Sequence, residues 1–92
     1  MTALEEYRQE INGIDREMAD LFARRMAVAG HIAAYKQQNG LPVFDPAREQ
    51  AVRDRAAAAM EDDAMRPYYV EFIQAVMDIS KEYQRKLLGE ER

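Results

Sequence analysis

The feature that most constrains this chain is a run of large apolar residues spaced by threes and fours from Leu4 to Tyr35. Leu4, Tyr7, Ile11, Ile14, Met18, Leu21, Val28, Ile32 and Tyr35 fall on one side of a single helix. A stripe sustained at this spacing is a coiled-coil-like seam, which buries against another helix along its length. One seam position, between Leu21 and Val28, is filled by Arg25. A cation there is costly unless an anion meets it.

The helix carrying that seam is expected over about residues 3–38. Thr2 with Glu5 three residues on has capping-box spacing, and Asn39-Gly40 supplies a left-handed stop. At 1.5 Å per residue such a helix is roughly 50 Å long. A compact globule of 92 residues has a radius of gyration of only about 12 Å. The helix therefore outruns its own subunit, and a second chain is expected to cover its seam. Gly13 and Gly30 inside it mark positions where a neighbour can approach closely.

Leu41-Pro42-Val43-Phe44 reads as a short extended connection. Asp45 as N-cap with Pro46 at the first helical position opens a second helix, expected over about 46–61 and alanine-rich near its end. Glu61-Asp62-Asp63 is an acidic turn, and Pro67 opens a third helix, about 67–88. Its apolar stripe (Tyr69, Phe72, Ile73, Val76, Met77, Tyr83 and Leu87) is interrupted by Ser80 and Gln84, one turn apart. No stretch alternates as a strand would. The expected fold is all-α, three helices with the first very long, in one domain spanning 1–92.

Composition narrows the function. The balance of 13 basic and 17 acidic residues, net charge −4, opposes a nucleic-acid binder. No run of about 18 apolar residues offers a membrane span, and the N-terminus resembles no signal peptide, so a cytoplasmic protein is the expectation. With no cysteine and only His31 among histidines, neither a disulfide nor a metal site is expected. No nucleophile triad or glycine-rich phosphate loop is present.

Several polar residues remain that a plain helical bundle does not need. Lys36 follows Arg25 by eleven residues, three turns on and about 20° around, so on the same side of the helix. Arg48 and Glu49 fall in the first turn of the second helix, beside the Asp45 cap, and Ser80 and Gln84 face inward from the third. Together these would line a polar chamber rich in cationic donors, suited to a small dianion with hydroxyl or ether oxygens. Arg8 precedes Arg25 by 17 residues, which puts it about 25 Å away along the axis. It can reach such a ligand only in a dimer, from a partner's antiparallel first helix. Each residue also has a plainer use. Arg25 can snorkel, Lys36 can answer the helix dipole, Arg48 and Glu49 can form a solvated pair, and Ser80 with Gln84 can set bundle register.

In order and spacing, Arg8, Arg25, Lys36, Asp45, Arg48-Glu49, Ser80 and Gln84 resemble the all-helical, AroQ-type chorismate mutases, most of all the short dimeric class. The similarity covers essentially the whole chain. YRQEINGIDREMADLFARRMAVAGHIAAYK, VFDPAREQ and FIQAVMDISKEYQ carry it. It implies an intertwined six-helix homodimer and a pericyclic Claisen rearrangement of chorismate to prephenate, toward phenylalanine and tyrosine, with no cofactor. By resemblance, Arg25 and the partner subunit's Arg8 clamp carboxylates, and Lys36 and Gln84 donate to the ether oxygen. Glu49 and the backbone at Asp45 hold the ring hydroxyl, Arg48 orients ligand and Glu49, and Ser80 meets a carboxylate. The alternatives are an isochorismate-pyruvate lyase on the same fold and a non-catalytic helical dimerisation or regulatory module. Losing a cationic position would favour the module, and none is lost. Docking onto another shikimate-pathway enzyme is left open.

Overall fold

In a computed structural model of the chain, residues 1–90 are described. They form three α-helices, α1 (Ala3–Gln38), α2 (Pro46–Ala59) and α3 (Arg66–Leu87), with no strand among them. At the start of α1, the Glu5 N–H donates to Thr2 Oγ1 at 3.2 Å and the Thr2 N–H returns a bond to Glu5 Oε1 at 3.0 Å. The backbone half of that exchange holds the Glu5 carboxyl below its ordinary value. The C-terminus closes as a Schellman turn. The Gly40 N–H reaches Gln37 O at 3.4 Å and the Leu41 N–H reaches Lys36 O at 2.8 Å, while Gly40 takes φ +64°.

The link to α2 is short because both of its ends are pinned. Val43 is buried, its carbonyl accepts from Lys36 Nζ at 2.8 Å, and Asp45 Oδ1 caps α2 by accepting the Arg48 N–H at 3.1 Å. The other end of α2 is held by Arg66. Its guanidinium donates to Ala57 O at 2.9 Å and Met60 O at 2.8 Å, which satisfies carbonyls that a helix end leaves open. Arg66 also pairs with Asp63 at 2.6 Å, so the acidic turn is tied down rather than wholly solvated.

α3 is the middle element. It packs along α2 and against the C-terminal part of α1, while α1 and α2 do not pack on each other among the described residues. The face of α1 that meets α3 is a stripe of small residues rather than the apolar seam. Ala29 and Ala33 are buried, and a Cβ at Gly30 would lie 3.6 Å from Leu87 and 4.0 Å from Tyr83. Gly30 is thus a close crossing, whereas at Gly13 the only near neighbour among the described residues is Arg16 of the same helix.

The seam itself lies bare. All nine of its large residues are exposed, Ile11 by 55% and Leu21 by 57%. The chain measures 55 × 27 × 21 Å with a radius of gyration of 16.5 Å, against the roughly 12 Å of a compact chain of this length. The expected α3 stripe is likewise only partly used. Phe72 and Leu87 stand exposed, and the buried side chains of α3 are Met77, Ser80 and Gln84. No helix among the described residues is long and apolar enough to cross a membrane.

Candidate active site

The inward faces of the three helices enclose a chamber of about 480 Å³. The α1 wall is built by Leu21, Arg25, Val28, Ala29, Ile32 and Lys36, residues that share a face because they repeat at threes, fours and sevens. The N-terminal turn of α2 contributes Asp45, Arg48, Glu49 and Val52, and α3 contributes Met77, Ser80, Lys81 and Gln84. Seven of the eight residues singled out from sequence line this one space: Arg25, Lys36, Asp45, Arg48, Glu49, Ser80 and Gln84. Arg8 does not; it is exposed on the projecting half of α1.

Charge is strongly uneven here. Five cationic side chains, Arg24, Arg25, Lys36, Arg48 and Lys81, line the chamber against the two carboxylates of Asp45 and Glu49, on a chain of net charge −4. Both carboxylates are already engaged, Asp45 by the Arg48 N–H and Glu49 by Lys81. Arg25 and Arg48 make no side-chain ion pair among the described residues. Their guanidinium groups are therefore free to meet a dianion, bidentately if it is a carboxylate. Lys36 is half-buried and spends one of its three donors on Val43 O. The α2 N-terminus adds the positive end of a helix dipole.

On the α3 wall the Gln84 side-chain amide donates to Ser80 Oγ at 3.1 Å, and both residues are buried. The other amide atom, Gln84 Oε1, is buried without a partner among the described residues. A hydroxyl both donates and accepts, so the amide can turn over and keep its bond to Ser80 while Nε2 takes the orphaned position. Gln84 can thus offer a neutral N–H donor to an acceptor brought in by a ligand.

Glu49 does not pair with its neighbour Arg48. Its Oε2 lies 2.9 Å from Lys81 Nζ, and its Oε1 lies 3.4 Å from Gln74 Nε2 and 3.9 Å from Arg53. The hydrogen bond to Glu49 is the first cause holding the Lys81 ammonium above its ordinary value, with burial opposing it. Lys81 and Arg24 were not among the residues picked out from sequence. Lys81 follows Ser80 and sits one turn before Gln84, so helical spacing alone places it beside them. Its charge on an amphipathic helix suggests solvent instead.

Residues 7–85 match the family described as chorismate mutase type II. The chain belongs to that family. It is 31% identical over 88 residues to the chorismate mutase of Methanocaldococcus jannaschii, an alignment covering 95% of this chain and 89% of that one. It is 34% identical over 62 residues to the 4-amino-4-deoxychorismate mutase of Streptomyces venezuelae, covering 67% of this chain and 60% of that one. It is also 42% identical over 52 residues to the T-protein of Haemophilus influenzae, covering 56% of this chain and 14% of that one. The chain thus spans less than two thirds of the latter two relatives. No solved structure gives a match.

Proposed function

We propose that this type II chorismate mutase domain rearranges chorismate to prephenate, as a homodimer with two sites. The observation that carries the proposal is the gathering of Arg25, Lys36 and Arg48 with Ser80 and Gln84 around one chamber. That donor set fits a dicarboxylate with an ether oxygen. A [3,3] shift is unimolecular, so the protein's work is to hold the enolpyruvyl arm over the ring and to stabilise charge growing on the ether oxygen as its C–O bond breaks. Arg25 and the partner's Arg8 clamp the carboxylates. Lys36 Nζ and Gln84 Nε2 donate to the ether oxygen. Glu49 and the backbone at Asp45 take the ring hydroxyl, with Arg48 and Ser80 orienting the ligand. The bare seam supports the dimer, because large apolar faces left to water mark association surfaces.

The test is loss of chorismate absorbance with purified protein, quantifying prephenate and pyruvate. Stoichiometric prephenate without pyruvate is expected. Inertness to chorismate with pyruvate released from isochorismate would make it the lyase, and inertness to both would leave a helical module. Because the Streptomyces relative is named for a substrate with an amine in place of the ring hydroxyl, 4-amino-4-deoxychorismate belongs in the same assay.

Gln84→Glu is expected to lose activity at neutral pH and to regain part of it in acid. Burial at this position raises a carboxyl's pKa, but an ionised carboxylate cannot donate, and only its protonated form replaces the amide N–H. Activity should therefore climb as pH falls through the new carboxyl's pKa, while the parent protein shows no such rise. A variant profile parallel to the parent's would remove Gln84 from the role of ether-oxygen donor.

A further inference from the structure

Among the described residues, Glu49 is the one acidic side chain that is both buried and part of the chamber wall. Behind it stands a set of groups that the reaction described above does not use. Lys81 Nζ holds Oε2 at 2.9 Å, and Gln74 Nε2 approaches Oε1 at 3.4 Å. Gln74 is itself fixed, accepting from Arg53 at 2.7 Å and donating to Asp78 at 3.0 Å. The Lys81 ammonium sits 4.7 Å above the centroid of the Phe44 ring and 3.4 Å from Asp78. Three elements, the linker, α2 and α3, thus converge on one lysine whose side chain is 18% exposed.

The consequence for a ligand is electrostatic. An ionised carboxylate has about four acceptor sites, and Lys81 and Gln74 occupy two. Room remains to accept one hydrogen bond from the chamber. The charges of Glu49 and Asp78 are matched by those of Lys81 and Arg53, so this corner presents an acceptor with no net negative charge. Beyond it the chamber is lined by further cations. A neutral hydroxyl can use such an acceptor. An ammonium at the same place meets a carboxylate already matched by Lys81, in a chamber whose five cations outnumber the carboxylates of Glu49 and Asp45, the repulsive half of a specificity device.

We propose that Lys81 is a positioning and selectivity residue: by neutralising and orienting Glu49, it makes the chamber take a hydroxyl on the substrate ring and refuse an ammonium there. This rests on the mutase function proposed above and on Glu49 as the acceptor of the ring hydroxyl. Lys81 acts through Glu49, and the quantity that isolates its role is a ratio between two substrates rather than a rate on one. A primary amine is cationic at pH 7, so chorismate and 4-amino-4-deoxychorismate differ there by one charge and little in shape.

The experiment measures kcat/KM for both substrates with the parent protein, Lys81→Met, Lys81→Gln and Lys81→Arg, each checked by thermal melting. Met and Gln are both good helix formers, so two neutral variants guard against one that folds poorly. The parent protein should favour chorismate by roughly 100-fold or more, and both neutral variants should lower that ratio by roughly 10- to 100-fold. Lys81→Arg, which keeps the charge, should return the ratio to within about threefold of the parent value. A merely structural lysine would depress both substrates together and leave the ratio where it was. That result, in a parent protein active on chorismate, overturns the role of Lys81 alone. A parent protein inert to chorismate overturns the mutase function and this inference with it.

Discussion

Lys36→Ala is expected to lower kcat by roughly 10²- to 10³-fold, the loss that follows removal of one preorganised oxyanion donor. The side chain is suited to that work by what already holds it. Val43 O accepts one of its N–H groups at 2.8 Å, which fixes the ammonium at the junction of α1 and the linker and leaves two donors for the chamber. A group held in place before the substrate arrives needs no reorganisation as charge develops on the ether oxygen. In the proposed role its interaction is strongest in the transition state, so kcat should fall more than KM rises. The helix will tolerate the change, since Ala is a better helix former than Lys. The melting temperature then separates lost chemistry from a released linker. Steady-state kinetics on chorismate decide the matter, and a fall of less than tenfold in kcat would remove Lys36 from the ether oxygen.

The residues that were legible in the sequence and those that were not differ for physical reasons. Thr2 with Glu5, Asn39-Gly40 and Asp45-Pro46 announce helix ends because capping is local chemistry, and the three-helix, strand-free architecture followed from them and from the 3-4 spacing of the seam. The inward direction of Arg25, Lys36, Ser80 and Gln84 was legible because polar residues interrupting an apolar stripe have a fixed azimuth on a helix. Glu49 and Arg48 were visible as a pair, but not Glu49's true partner. Consecutive helical residues point about 100° apart, so adjacency in sequence says little about contact, and Lys81 lies 32 residues further on. Nor did the apolar pattern reveal which face of α1 would receive α3. The small residues Ala29, Gly30 and Ala33 let the backbones approach, and hydrophobic periodicity gives such residues little weight.

The same bare seam leads to the prediction with the most distinctive outcome. Arg8 and Arg25 lie on one helix but about 25 Å apart along its axis, and only Arg25 lines the chamber. If the proposed dimer brings the partner's Arg8 to each site, Arg8→Ala and Arg25→Ala should each lower kcat/KM by roughly 10²-fold or more, since each leaves a substrate carboxylate without its charged, hydrogen-bonded partner. The two inactive proteins should then rescue one another. In a heterodimer, the chain bearing Arg8→Ala keeps its own Arg25 and receives an intact Arg8 from its partner, so one of its two sites is whole. The other site lacks both arginines. Unfolding and refolding an equal mixture should make about half the dimers mixed, and so restore about a quarter of all sites in a closed two-fold assembly. Mixing without unfolding should restore activity only as fast as subunits exchange. Activity that stays at the level of the separate variants after refolding would mean that each site draws its arginines from a single chain. In that case the exposed seam of α1 would need a different explanation from an antiparallel partner helix.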